Sequence, residues 1–520
     1  MSEKSSPPAL AGLHLADAAQ VTGVPTYRAL YERIRDGILS GKLAPSTRLP
    51  STRALASELG VARGTVEAAY ERLVAEGFIV GRGAAGSRVN PQLDGTRLEA
   101  AAKAMPPRAN HTRAVRPAPA PAPHEASNAP EIPGRHLPEN PSSIPLNAFG
   151  MPLPLQNGMP ALDEFPRKLW ARLAARHARH LSPEGLHYQS AVGWAPLREA
   201  IAGYLAIARG IHCEPDQIIV TAGYQGALAL IARVLLRPGD AVWCEDPGYF
   251  RAQEAFRMTG ATLVPVPVDQ DGLDVAAGER DAPDARLAVV TPSHQSPLSV
   301  TLPLARRLAL LACAQAHDAW IVEDDYDSEF RYTGAPLPAL KSLDGGERVL
   351  YAGSFSKVLF PGLRLGYLVV PPALCDAFVA NASLASPAQG WIEQATVTDF
   401  ITQGHFSRHI KRMRQLYGER RAALADALRQ HLPGRIELAQ QAGGMHLLGW
   451  LEAHRHDRAL CRTAFRHGIA PGALSFFSIA RQLPPALVMS FTNVPEALAS
   501  DVAQRLARAF DEDDNAHAAT

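Results

Sequence analysis

The stretch RVLYAGSFSKVLFPGLRLGYLVV (348–370) decides the reading of this 520-residue chain. It opens and closes with short apolar runs, VLYAG and LGYLVV, of the length and composition of strands buried on both faces. Between them stand Ser354, Ser356 and Lys357, with Arg364 seven residues beyond the lysine. A lysine that follows a buried strand keeps its amine partly out of water, which favours the neutral nucleophile a Schiff base needs. Two hydroxyls and a nearby guanidinium suit a phosphate dianion.

Working outward, from residue 146 onward similar runs alternate with helical stretches: IIVTAG (218–223), AVWCED (241–246), LAVVTPS (287–293) and WIVEDDY (320–326). That alternation predicts an α/β unit with a largely parallel sheet covered on both faces, whose ligands sit at the strand carboxyl ends. Each run ends in a polar cluster. Asp324 closes WIVED, where a buried carboxylate keeps a pyridine nitrogen protonated, and Tyr326 two residues on is placed for a phenolate oxygen. Gly223, Tyr224 and Gln225 form a strand-to-helix turn with backbone N–H groups for a phosphate. Tyr249, in EDPGY (245–249), is placed to stack on a flat ring. Taken singly these signals are weak. The S-x-x-K at 354–357 also satisfies the pattern of penicillin-binding enzymes, but S-D-N and K-T-G occur nowhere in the chain. Their order, each at a strand end, is the specific feature.

A second unit precedes this one. Tyr27, Leu30, Tyr31, Ile34, Ile38 and Leu39 recur at helical spacing, Pro50-Ser51-Thr52 starts a second helix, and Val66, Ala69, Tyr70 and Leu73 mark a third. FIVGRGAAGSRV (78–89) reads as two strands joined by a glycine-rich tip. Three helices and a hairpin make a winged helix-turn-helix, an α+β unit. Residues 25–90 hold ten basic and six acidic side chains, a local excess of +4 in a chain whose net charge is only +1. Such an excess suits phosphate neutralisation, and double-stranded DNA is the partner it implies. Arg63, Gly64 and Thr65 open the third helix, where base edges and phosphates are met. Arg48, Arg53 and the wing residues Arg82 and Arg88 complete the candidate surface. A protein-interaction domain with a solvated basic face is the plainer alternative.

Eleven prolines fall in the 40 residues from Pro106 to Pro145, including PAPAPAP, which predicts an extended linker. The expected division is therefore 1–95 for the DNA reader, 96–145 for the linker and 146–520 for the large domain. The five cysteines are far apart, odd in number and without a C-x-x-C or Cys/His cluster, so neither a disulfide framework nor a metal site is expected. The N-terminus lacks the layout of a signal peptide and no apolar run approaches membrane-spanning length, so the expected location is the cytoplasm, with no membrane partner.

LPSTRALASELGVARGTVEAAYERLVAEGFI (49–79) resembles the GntR-type winged helix, with Ala62 where a serine usually caps the recognition helix and Gly64 where a larger polar residue is common. The large unit resembles fold-type I pyridoxal 5′-phosphate enzymes of the aspartate aminotransferase-like superfamily. The fusion of the two, with EDDYDSEFRY and SFSKVLFPGLRLGY, resembles the MocR/GabR regulators. The resemblance implies pyridoxal phosphate as cofactor, bonded by Lys357, with Asp324 at the pyridine nitrogen and Tyr326 at the ring hydroxyl. It implies Ser354, Ser356 and Arg364 at the phosphate, helped by Gly223 and Tyr224, and Tyr249 on the ring face. Tyr188 matches a tyrosine that reaches the phosphate across a homodimer interface. Gln295, in PSHQSP (292–297), matches a segment beside the ring.

One position departs from the pattern. Relatives carry an arginine in an R-L-G-F-like strand that clamps a substrate carboxylate; here ALVMSFTNV (486–494) has Val488 in that place. An amino-acid effector would then need another cation, Arg251 or Arg481, or the effector is the cofactor itself. Three functions stay open: a regulator whose large domain senses an amine, an amino acid or pyridoxal phosphate; a working aminotransferase with an accessory DNA-binding domain; and a DNA-binding protein whose sensor has lost its cofactor. The intact Lys357, Asp324 and Arg364 weigh against the third.

Overall fold

The computed structural model describes residues 26–75, 78–81, 87–91, 152–333, 338–345, 348–385 and 389–518. The segment read as linker and the wing residue Arg82 lie outside them.

In the reader, helices Thr26–Leu39, Thr52–Leu59 and Arg63–Ala75 are followed by β1 (Ile79–Gly81) and β2 (Ser87–Val89), an antiparallel pair. Most of the apolar face read from the sequence is the core: Leu30, Tyr31, Ile34, Ile38, Leu55, Val66, Ala69, Tyr70 and Leu73 are buried, whereas Tyr27, in the first turn, is exposed. The middle helix has both end signals. The Ser51 side chain accepts from the Ala54 N–H, and Gly60 closes the helix at φ +64°. Ala62, just ahead of the third helix, offers no side-chain oxygen to the Thr65 N–H, which bonds the Ala62 carbonyl instead. Ala62→Ser should therefore raise reader stability by about 1 kcal/mol, read as a higher denaturant midpoint.

The large domain is built on an eight-stranded sheet in the order β3-β10-β9-β8-β7-β4-β5-β6. The strands are β3 (Ile218–Thr221), β4 (Ala241–Asp246), β5 (Thr262–Asp269), β6 (Gly272–Leu273), β7 (Leu287–Val290), β8 (Trp320–Asp325), β9 (Val349–Ser354) and β10 (Gly366–Val369). Neighbours from β9 through β5 run parallel, whereas β10 runs antiparallel to both β3 and β9. Because β10 starts where its neighbours end, with Gly366 opposite Thr221 and Ser354, the preceding Arg364 lies at the ligand edge. Gly366 must be glycine, since a Cβ there would stand 2.9 Å from the Gly223 Cα. A second antiparallel sheet, in the order β11-β12-β14-β13, comprises β11 (Ile436–Leu438), β12 (His446–Leu451), β13 (Gly472–Ala473) and β14 (Ala486–Ser490).

The reader rests on the large domain. Leu304 and Leu308, from helix Leu304–Ala316, join the reader's own apolar cluster, and His212 Nε2 lies 3.6 Å from Glu32 Oε1. The buried Arg307 between those leucines donates to the carbonyls of Leu302 at 2.7 Å, Pro338 at 2.6 Å and Pro292 at 2.8 Å, fixing this helix to the loop after β7.

Candidate functional site

Five strand ends, β3, β4, β7, β8 and β9, converge on one side of the sheet, as parallel strands require of a shared carboxyl edge. A cavity of about 450 Å³ opens there, lined by Tyr224, Tyr249, Asp324, Tyr326, Ser354, Ser356, Lys357 and Arg364. Eight residues from four separate runs of sequence thus meet in one space.

Lys357 sits in the short helix Phe355–Val358 directly after β9, and its Nζ donates to the Gly158 carbonyl at 2.8 Å. Removal from water pulls the amine down to about 8, against the upward pull of Asp324 and Asp327. Covalent capture of an aldehyde by the cofactor-free chain should therefore quicken about tenfold per pH unit up to that value and level off above it, in stopped-flow absorbance. Gly158, at φ +76°, is placed so that a Cβ would overlap the Lys357 amine. Gly158→Ala should weaken covalent loading and lower stability through its left-handed backbone, which absorbance and thermal unfolding together would show.

Asp324 is buried at the end of β8, and among the described residues it has no ion pair. Burial raises its carboxyl well above the usual range, and the neighbouring Asp325, Glu245 and Asp327 push the same way. A ring cation at this point would relieve that cost, which a pyridinium supplies. Asp325, by contrast, is held by Arg209 at 2.6 Å and by the Tyr351 hydroxyl at 2.6 Å, so the two adjacent aspartates have different work.

At the other end of the cavity, helix Gly223–Leu235 begins without a side-chain cap, leaving its first N–H groups for an anion. Arg364 lies against it: a Cβ on Gly223 would stand 3.9 Å from the guanidinium, which donates to the Ala222 carbonyl at 3.3 Å. Ser354 and Ser356 face the same place, and the Ser354 Oγ already accepts from the Ser356 N–H at 3.2 Å. An uncapped helix, a guanidinium and two hydroxyls form a fitting phosphate cradle, and the lysine and the buried acid fit the remainder of pyridoxal phosphate. Tyr224 lines the cavity with its hydroxyl buried and without a hydrogen-bond partner among the described residues, and burial, then the nearby Asp324, pushes its phenol upward.

Three further candidates are not brought to the cavity. The Gln295 amide is buried and satisfied by the protein, donating to Glu245 Oε2 at 3.0 Å and to the carbonyls of Pro247 and Ser296 at 2.8 Å each, so it braces the loop rather than meeting a ring. Arg481 is exposed; its guanidinium donates to the Val268 carbonyl, and its backbone is pinned by Asp246 at 2.8 Å, which also holds Ile479 and Ala480. It does not line the cavity. Tyr188 lies on the surface, 96% exposed.

Arg251 does line the cavity, packed over the Phe250 ring at 5.3 Å. Sequence reasoning missed Arg462, from helix Asp457–Arg466, and the apolar wall of Met445, Phe465, Phe476 and Phe477. Val488 is fully buried behind that wall, opposite Leu448 and Gly472 and clustered with Phe477. Structure also gathers a trio that the cysteine spacing did not suggest: Cys313 and His317, one helical turn apart, lie beside Glu279, with His317 Nε2 3.2 Å from the carboxylate.

On the reader, Arg48, Arg53, Arg63, Gly64 and Arg88 are exposed, and Thr65 is half-buried at the start of the third helix. Arg63 is engaged by Glu67 at 2.7 Å across one helical turn, a pair that must open for the guanidinium to reach a base. Arg48 and Arg88 form an isolated antiparallel bridge, which sets the wing strand against the segment leading into the second helix.

Comparison with known proteins gives two family matches: residues 155–506 match aminotransferase class I and II, and residues 26–89 match the gntR family of bacterial regulatory proteins. The chain is 39% identical over 458 residues to a probable rhizopine catabolism regulatory protein, MocR, of Rhizobium meliloti, covering 87% of this chain and 88% of that one. It is 34% identical over 491 residues to the transcriptional regulator TauR of Rhodobacter capsulatus, covering 92% and 96%. Among solved structures it is similar to the α-aminoadipate aminotransferase LysN of Thermus thermophilus, complexed with N-(5′-phosphopyridoxyl)-L-leucine. The TM-score is 0.64 at 30% identity, covering 69% of this chain and 92% of that one.

Proposed function

Since the chain belongs to the MocR-type regulators, with a gntR-family reader fused to an aminotransferase class I and II domain, we propose that it is a transcription regulator. It binds double-stranded DNA, and its large domain binds pyridoxal phosphate and senses an amine. The observation that carries this reading is the meeting of Lys357 and Asp324 in one cavity, on a chain that also presents an exposed basic reader.

Bound there, pyridoxal phosphate supplies an aldehyde carbon for amines and a ring that withdraws electrons from the carbon beside the nitrogen. The chain's own residues do the rest. Asp324 would hold a proton at the pyridine nitrogen, Tyr326 would serve the ring hydroxyl, and Tyr249 would cover the ring. Ser354, Ser356, Arg364 and the N-terminus opened by Gly223 hold the phosphate. Lys357 would hold the cofactor through its amine, and the free amine donates a hydrogen bond to the Gly158 carbonyl. Of the two cations expected to meet an effector anion, Arg251 remains, and Arg462 joins it at the cavity wall. The reader's seat on Leu304 and Leu308 adjoins the loop after β7 that flanks the ring site, so a change at the ring has a short path to the reader.

The regulator is a homodimer in this reading. The exposed Tyr188 supports it, because a side chain left 96% in water on one chain is available to a second copy's phosphate site. Sedimentation of the loaded chain should give the dimer mass at micromolar concentration; a monomer would contradict it.

Deleting residues 1–95 tests the division of labour: DNA binding should vanish while the cofactor absorbance persists. Arg63→Ala in the full chain should cost about 1–3 kcal/mol of DNA affinity and relax preference at one base position. Affinity should fall with salt throughout. Loss of cofactor binding together with the reader would overturn the division.

A further inference from the structure

Behind Tyr326 lies a buried imidazole–carboxylate pair that the cofactor contacts described so far do not use. His294 is 6% exposed and Asp327 is 2% exposed. His294 Nδ1 stands 3.0 Å from the Tyr326 hydroxyl and 3.1 Å from Asp327 Oδ2. The imidazole does not line the cofactor cavity; it faces a separate small polar pocket shared with Arg209, Ser293 and Arg331. Around it the backbone is shaped to fit. Gly444 stands at φ +91°, and a Cβ there would overlap the imidazole ring. The ring of His446 lies on another side, with centroids 5.6 Å apart, and donates through Nε2 to the Pro297 carbonyl at 2.9 Å. Burial pulls His446 down to about 3, so it stays uncharged.

With its proton on Nδ1 the imidazole donates to the Tyr326 oxygen, while Asp327 Oδ2, 3.1 Å away, favours a proton at that nitrogen by its charge rather than by accepting a hydrogen bond. Ser296, at the cavity edge, supplies Tyr326 with a second donor. A phenol oxygen that accepts on its buried side keeps its own proton for the open side. Tyr326 also interacts with Asp327, so without the imidazole's donor the carboxylate is left to draw the hydroxyl proton away from the cavity. The charged and titratable groups facing His294 are thus Tyr326, Asp327, His446, Arg209 and Arg331, and the carboxylate is the one in direct contact with its Nδ1.

We propose that His294, seated on Asp327, is the positioning residue that aims the Tyr326 hydroxyl proton into the cavity and so sets the pH at which the bound cofactor changes its absorbance. This rests on the reading of the cavity as a pyridoxal phosphate site. A hydrogen bond donated to the ring oxygen favours the less protonated form, so its loss raises the midpoint.

The test is an absorbance titration with pH of the full chain loaded with pyridoxal phosphate, on wild type, His294→Phe, Tyr326→Phe and the double variant. His294→Phe keeps a flat ring but offers no donor. The midpoint should rise by about 1 pH unit, the shift that corresponds to one hydrogen bond to an ionised group. Tyr326→Phe should move it the same way, and the double variant no further than Tyr326→Phe alone. Should His294→Phe fail to fold, Gly444→Ala, which displaces the imidazole, and Asp327→Asn, which removes its seat, carry the same expectation. An unmoved midpoint in the His294 variant, an additive double variant, or a Tyr326→Phe without effect would each overturn the proposal. Absence of any cofactor band in wild type would instead overturn the reading of the cavity itself.

Discussion

Lys357→Ala is expected to abolish covalent retention of pyridoxal phosphate outright. Borohydride treatment of the wild-type chain should fix the cofactor to a peptide containing Lys357, and the variant should yield no such peptide. The cradle of Ser354, Ser356, Arg364 and the uncapped helix survives the change, so the variant should still bind the cofactor reversibly, and dialysis should remove it. Two features of the site motivate the size of the effect. The amine is held at about 8, so a useful fraction is neutral near physiological pH, and among the residues lining the cavity it is the sole lysine. A borohydride-fixed peptide from the variant would place the bond on another lysine and dismantle the site as described.

The second large effect concerns Val488. With no guanidinium on β14, that part of the cavity wall is aromatic, and a carboxylate set against it loses water there and has only Arg251 and Arg462 elsewhere on the wall to meet. Transamination of α-amino acids by the wild type should therefore be slow or undetectable in a half-reaction assay. Val488→Arg should tighten binding of α-amino acids about tenfold to 100-fold, the worth of a charge-assisted bond. The same arginine is buried without a partner when no ligand is present, which should cost about 3–5 kcal/mol of stability. Thermal unfolding should accordingly show a lower midpoint for the variant and a larger recovery on adding an α-amino acid than wild type gives. Fast turnover by wild type would mean that Arg251 or Arg462 already holds the carboxylate, and would favour the enzyme reading over the regulator reading.

The legible parts of this molecule were those where one short stretch carries both the element and its chemistry. Lys357, Asp324 and Tyr249 each follow a run of buried β-formers, and a parallel sheet brings such ends together whatever the helices between them do. The reader was legible for a similar reason: its apolar residues keep helical spacing, and Ser51 and Gly60 mark both ends of one helix. Gly158 and Arg462 were not legible, because they come to the cavity from segments about 200 residues before and 100 residues after Lys357, through packing that no local pattern encodes. Arg481 stands away from the cavity for an electrostatic reason: the Asp246 carboxylate collects three successive N–H groups of its loop. Gln295 reads in the sequence as a ligand contact, whereas in the structure three carbonyl and carboxylate acceptors surround its amide.

The central claim is that occupancy of the cofactor cavity and DNA binding by the reader are coupled, and coupling between two sites must act in both directions. The direct measurement is an absorbance titration of the full chain, loaded with pyridoxal phosphate, with a panel of α- and ω-amino acids and simple amines. Each titration is run with and without a duplex that the protein itself has selected from a random-sequence pool. For at least one amine the titration midpoint should move severalfold when the duplex is present, and the amine should change duplex affinity by the same factor. Superimposable titrations for every amine that binds, with the duplex demonstrably bound, would contradict the account.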